Sequence, residues 1–178
     1  TFDAQFEQVR AELRSFEGVR AVEQPEGFEG QLRDYQKEGL GWMEFLRRFA
    51  FGGCLADDMG LGKTIQILAL LLVQAKAHQT ASPSLLVAPA SLLANWSAEI
   101  ERFAPNLTTR ILHPSAMTAE QMKQFVADDL ASSDLVITSY GSLLRLPVLA
   151  QTRWHLVVLD EAQAIKNPNA KQTKATKA

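Results

Sequence analysis

One cysteine and three histidines stand among 178 residues, and each scarcity removes a class of protein. A lone Cys54 can form neither an internal disulfide nor a CxxC metal pair, which excludes a stapled extracellular scaffold and suits a reducing compartment. His78, His113 and His155 fall on unrelated segments without the spacing of zinc ligands. Long apolar runs are also missing: the most apolar stretch, Ile67 to Val73, is far shorter than the roughly 20 residues of a membrane span. Thr1 to Glu7 offers neither a basic leader nor an apolar signal core. A net charge of −2 gives no global pull toward polyanions, so any nucleic-acid binding has to come from a local patch. The expectation is a cytoplasmic protein with no membrane partner.

A hydrophobic content of 47% over this length supports one sizeable core rather than two. Opening at Thr1 without methionine and closing on the lysine-rich Lys171 to Ala178, the sequence reads as a piece of something longer, with a frayed, solvated tail. Phe2, Phe6, Val9, Leu13 and Phe16 recur at helical spacing, so the first sixteen residues are predicted to be an amphipathic helix that ends near Gly18, within a helical lead-in of residues 1–27. The breaker-rich stretch from Gln24 to Gly30 separates it from a main domain, 28–178. A helix follows from Leu32 to Phe49, where Gly39 and Gly41 suggest close packing. Strand and helix signals then alternate: Gly53 to Ala56, Lys63 to Ala77, Leu85 to Ala88, Ser91 to Phe103, Thr109 to Leu112, and Thr118 to Ala127 with a capping box. Leu135 to Thr138, a short helix from Ser142 to Leu146, and Leu156 to Leu159 complete the series. Five apolar strands with intervening helices predict an α/β fold, a parallel sheet with helices on both faces.

Within that pattern Asp57-Asp58-Met59-Gly60-Leu61-Gly62-Lys63-Thr64 joins an apolar segment to an apolar helix. Glycines let successive backbone N–H groups converge on phosphate oxygens, the helix aims its positive end at the same anion, and Lys63 adds a cation. Thr64 supplies a hydroxyl for magnesium. The generic pattern asks for glycine where this chain has Asp57. Near the other end, the apolar Leu156 to Leu159 delivers Asp160 and Glu161. Ligands of open parallel sheets bind beyond the carboxyl ends of the strands, so Asp160 is placed to share the magnesium and Glu161 to polarise a water. An acidic pair can equally cap a helix.

The order Leu32-Arg33-Asp34-Tyr35-Gln36, Asp57 to Thr64, Ala88 to Trp96, Ile137-Thr138-Ser139-Tyr140 and Asp160-Glu161-Ala162-Gln163 resembles the Swi/Snf-related ATPases of helicase superfamily two. The resemblance runs from about Phe28 to Asn167, and in its light Asp57 is a family variant. It implies a RecA-like P-loop NTPase lobe, the first of two, from a motor that hydrolyses ATP with Mg2+ and moves on double-stranded DNA. Its implied partners are that DNA, the second lobe of the same parent and, among open candidates, a DNA-bound protein. The location it implies is the nucleoid in a bacterium or the nucleus in a eukaryote. Gln36 would recognise adenine; Asp58, Met59, Gly60, Leu61, Gly62, Lys63 and Thr64 would cradle the nucleotide; Thr64 and Asp160 would hold the metal; Lys63, Asp160 and Glu161 would be catalytic. Ser91, Asn95, Thr138 and Ser139 would face the DNA backbone, although Ser91 also fits a helix N-cap and Trp96 a core anchor. Gln163 stands where the family usually has histidine, so it inherits a coupling position without a titratable ring. An RNA helicase, another phosphate-loop enzyme and a non-catalytic nucleotide-binding module remain as alternatives. By itself the piece is expected to turn over little ATP.

Overall fold

Ser84–Ala88 and Leu135–Ser139 are so apolar on both faces that they are stable only between two layers. The computed structural model buries every residue of both; it describes Glu7, Arg10 and residues 18–58, 60–77, 82–124, 126–130 and 132–177. Four strands, β1 (Ser84–Ala88), β2 (Thr109–Leu112), β3 (Leu135–Ser139) and β4 (Val157–Leu159), form a parallel sheet in the order β2-β3-β1-β4. Leu86 lies opposite Ile137 on one side and Val158 on the other.

Helices cover both faces, as alternation along the strands requires. Leu86, Ala88, Leu135 and Ile137 point to one layer, where they meet α1 (Asp34–Arg48), α2 (Lys63–Ala77) and α3 (Leu93–Phe103) through Leu40, Leu68, Leu72, Trp96 and Ile100. Leu85, Val87 and Val136 point the other way, toward Leu130, α5 (Tyr140–Leu143) and α6 (Pro147–Gln151). Between these, α4 (Ala119–Gln124) starts with the expected capping box, the Gln121 N–H donating to the Thr118 hydroxyl and the Thr118 N–H to the Gln121 side chain. The two glycines of α1 serve close approach: a Cβ on Gly39 would strike Gln66 of α2, and one on Gly41 would strike the Arg20 carbonyl.

Three expectations meet a different outcome. Gly53 to Ala56 forms no strand, and Cys54, expected in a core strand, is exposed. A strand is stabilised by a neighbour, none among the described residues lies beside this segment, and Gly52-Gly53 bring backbone entropy without side chains to bury. The tail is not frayed over its length: α7 (Lys171–Lys177) is helical, with the buried Thr173 hydroxyl donating to the carbonyls of Ile165 and Asn167. The short helix expected at Ser142 to Leu146 begins earlier, because Ser139 caps it by accepting from the Ser142 N–H. Of the predicted lead-in helix, only Glu7 and Arg10 fall among the described residues, and both are helical. Residues 18–27 run along the main body, where the Val22 N–H donates to the Lys37 carbonyl and Gln24 accepts from the Leu32 N–H.

Candidate nucleotide site

The sheet and α2 bring the two sequence motifs to one end of the molecule. Gln74, in the last turn of α2, bonds at 2.9 Å to His155, two residues before β4 begins. From there Thr64 lies ten residues back along the helix, about 15 Å, and Asp160 five residues forward, about 16 Å. With the helix running antiparallel to the strand, as in a parallel α/β unit, these lengths put Thr64 and Asp160 toward the same, carboxyl, end of the sheet, where such folds bind ligands.

The loop is shaped by glycine and held closed by its own lysine. Gly60 and Gly62 have φ of +85° and +75°, a region that side chains other than glycine rarely adopt. A Cβ on Gly62 would also come within 2.6 Å of the Gln36 amide nitrogen. Lys63 Nζ donates to the carbonyls of Asp57 at 2.7 Å and Asp58 at 3.0 Å, so the ammonium now satisfies the loop's own backbone. The Leu61 carbonyl accepts from the Tyr35 hydroxyl at 3.0 Å and from Gln36 Nε2 at 3.2 Å. Asp57, the departure from the generic pattern, accepts from Gln66 Nε2 at 2.9 Å and ties the loop to α2. Asp58, Gly60 and Leu61 are exposed; Gly62, Lys63 and Thr64 are half-buried at the start of the helix. Met59 lies outside the described residues.

Gln36, expected to read adenine, is buried, with both ends of its amide engaged. Its oxygen accepts from the Arg33 N–H at 2.9 Å at the start of α1, while its nitrogen holds Leu61. In this conformation it braces the loop, and contact with a base requires it to release one of those partners.

At the opposite wall the Asp160 N–H donates to the Val87 carbonyl at 2.9 Å, continuing the β1–β4 pairing past the end of the strand. Its carboxylate accepts from the Trp96 indole N–H at 2.8 Å and from the Glu161 N–H at 2.9 Å. The Tyr140 hydroxyl donates to the Asp160 carbonyl at 2.8 Å. Burial first, and then the Asp160 and Glu161 charges, push the Tyr140 phenol up to about 12, so it stays a donor at neutral pH. Glu161 is exposed, at a left-handed φ of +51°, and its carboxylate accepts from the Gln163 side chain. Thr64 and Asp160 offer only oxygen donors, the set a hard divalent cation takes when it keeps water and phosphate as its remaining ligands. The residues present fit magnesium and a triphosphate.

The four expected DNA-facing residues divide. Ser91 and Asn95 are exposed, Ser91 in a 3-10 turn (Ala90–Leu92) whose cap is Pro89, so it caps no helix, and Asn95 in the first turn of α3. Thr138 is fully buried with its hydroxyl donating to the Leu112 carbonyl, and the Ser139 hydroxyl donates to Ser142 at the start of α5. Strand pairing and helix capping consume both hydroxyls, so this conformation presents neither to a ligand. Sequence reasoning missed the two donors to Asp160. Trp96 has only the look of a core residue in sequence, and Tyr140 is one residue beyond the expected contacts; only the crossing of β1, β3 and α3 brings them to Asp160.

Residues 35–178 match the family described as the SNF2-related domain. YwqA of Bacillus subtilis, provisionally named an ATP-dependent helicase/translocase, is 44% identical over 153 residues, which cover 83% of this chain and 16% of that protein. Helicase swr1 of Aspergillus fumigatus is 40% identical over 144 residues, 80% of this chain and 8% of that protein. The chain thus spans less than a fifth of either relative. Among solved structures, the Sulfolobus solfataricus SWI2/SNF2 ATPase core in complex with dsDNA superposes with a TM-score of 0.77 at 40% identity, covering 89% of this chain and 31% of that one. The fold is that of an α/β RecA-like lobe.

Proposed function

From the premise that this chain belongs to the SNF2-related family, we propose that it is the first RecA-like lobe of a DNA-dependent ATPase that couples ATP hydrolysis to movement on double-stranded DNA and to remodelling of protein–DNA complexes. One observation carries the reading: a glycine-shaped phosphate loop at the head of α2 and the Asp160-Glu161 pair beyond β4 share one end of the sheet. The DNA complex of the Sulfolobus core supports duplex DNA as the track. The small share of each relative that this chain spans supports a second lobe in a longer parent.

The loop binds by exchange. Lys63 gives up the Asp57 and Asp58 carbonyls for phosphate oxygens, and the first backbone N–H groups of α2 turn the helix dipole on the same anion. Thr64 and Asp160 would hold magnesium, which when bound neutralises charge on the phosphates. Glu161, exposed beside Asp160, accepts the proton of an attacking water. Ser91 and Asn95 supply sequence-independent contacts to the DNA backbone. Positive charge on the transferring group comes from an arginine of the second lobe, a contribution worth ~10³ to 10⁵ in rate, so this lobe alone turns over slowly.

The test is ATP hydrolysis by the longer parent with magnesium, alone, with duplex DNA and with RNA. Duplex DNA is expected to stimulate and RNA not; stimulation by RNA alone overturns the assignment of the track. Glu161→Gln is expected to keep ATP binding and lose ~10²- to 10⁴-fold in turnover, and turnover at the parent rate removes Glu161 as the base.

A further inference from the structure

Asp160 is held by its backbone N–H, its carbonyl and both carboxylate oxygens, and two of those restraints arrive from outside the sheet and its own turn. Trp96 reaches it from α3 and Tyr140 from the start of α5, each only 5% exposed. The indole N–H meets Oδ2 and the Glu161 N–H meets Oδ1, so the carboxylate plane is set by one donor on each oxygen. A carboxylate oxygen keeps a second lone pair after accepting one bond, and fixing the plane fixes where those remaining pairs point. The phenol holds the carbonyl of the peptide that leads directly into the left-handed Glu161. That corner is strained for a non-glycine residue and persists only where its surroundings hold it.

We propose that Trp96 and Tyr140 are positioning residues for the Asp160-Glu161 pair, the indole N–H orienting the metal-holding carboxylate and the phenol O–H holding the strained peptide that aims Glu161. The inference rests on the reading of Asp160 as a magnesium residue. Trp96 directly follows Asn95, and Tyr140 directly follows Ser139, so a shift of either segment reaches Asp160 through a single hydrogen bond. Neither residue touches the nucleotide in this scheme; each acts through the carboxylate pair.

The experiment is a magnesium titration of ATPase activity in the longer parent carrying Trp96→Phe, which keeps an aromatic ring in the core and deletes the N–H. The concentration of magnesium at half-maximal rate is expected to rise ~10- to 100-fold, with nucleotide affinity measured in chelator unchanged. Tyr140→Phe removes one hydroxyl and no packing; it is expected to lower kcat while leaving the KM for ATP in place, and it keeps the test open if the tryptophan variant does not fold. A lowered melting temperature with an unshifted magnesium response and unchanged kcat marks both residues as packing alone and overturns the proposal. Asp160→Asn separates the two levels: a parent-like magnesium response in that variant removes the metal reading itself, whereas its loss beside an unaffected Trp96→Phe and Tyr140→Phe removes only the positioning role.

Discussion

Asp160 accepts or donates hydrogen bonds to β1, α3 and the start of α5, whereas the facing loop from Asp57 to Gly62 is anchored to α1, to Gln66 and to its own lysine. The difference follows from where each half lies. Asp160 ends a strand whose inner neighbour, β1, is buried along its whole length, so it inherits a wall already fixed by the core. The loop follows residues 51–56, which join no strand of the described sheet and are largely exposed. One half is built before any ligand arrives. The other has to exchange internal bonds for ligand bonds. On the proposed function, affinity for nucleotide would be governed by the loop, and the geometry of hydrolysis by the wall.

The sharpest way to break that contrast is Lys63→Ala in the longer parent. The ammonium serves the closed loop in this structure and, on the proposed function, phosphate when nucleotide binds, so its loss is expected to reduce ATPase activity by at least ~10²-fold. Hydrogen exchange should speed up at Gly60 to Gly62, where the lysine no longer closes the backbone, while the amide of Asp160 stays protected. Turnover at the parent rate would remove the phosphate-loop assignment, and equal loosening of both walls would show that they are one unit.

The contrast also explains what can be read from the residues. Four of the five expected strands are legible because β1 and β3 carry unbroken apolar side chains and β4 leads straight into two carboxylates. The fifth misleads because an apolar composition at Phe51 to Ala56 says nothing about whether a partner strand is beside it. The loop residues are legible from spacing, since φ above zero at Gly60 and Gly62 is a local demand of the backbone. The hydroxyl partners of Thr138 and Ser139 are not, because small hydroxyls suit a DNA phosphate, a neighbouring carbonyl or a helix cap equally well, and here they meet the Leu112 carbonyl and Ser142. Trp96 and Tyr140 are illegible as donors to Asp160, from which they are separated by 64 and 20 residues.

A finer probe compares two glycines of the same loop. Gly60 and Gly62 both have positive φ, yet a Cβ on Gly60 would meet nothing within 4 Å, whereas one on Gly62 would press on Gln36. Gly60→Ala is thus expected to cost only backbone strain. Gly62→Ala adds displacement of a buried amide bonded at both ends, for a total of about 1 to 3 kcal/mol. Denaturant midpoints measure the difference between the two variants, and nucleotide affinity should fall further for Gly62→Ala because Gln36 also holds Leu61. Equal effects would remove Gln36 as the brace.

The smallest expected effect lies on the fixed wall, and alkaline pH exposes it. Folding raises the Tyr140 phenol from 10.0 to about 12 through burial and the nearby Asp160 and Glu161 charges. A raised value means the folded state favours the protonated phenol, so its contribution is complete below pH 10 and is lost as the pH climbs through 12. In between, the unfolded chain gives up this proton and the folded one does not. A tenfold change in proton affinity corresponds to ~1.4 kcal/mol, and solvent screening of the charge on the exposed Glu161 reduces the total to on the order of 1 to 2 kcal/mol. Melting curves from about pH 9 to about pH 12 on the ligand-free protein should show that slope, and Tyr140→Phe should make it shallower, the remainder including Lys37, whose bond to Glu23 holds its ammonium above the usual lysine range. A slope left unchanged by Tyr140→Phe would mean that the phenol is not held at Asp160, and the wall would then owe its order to Trp96 and the sheet alone.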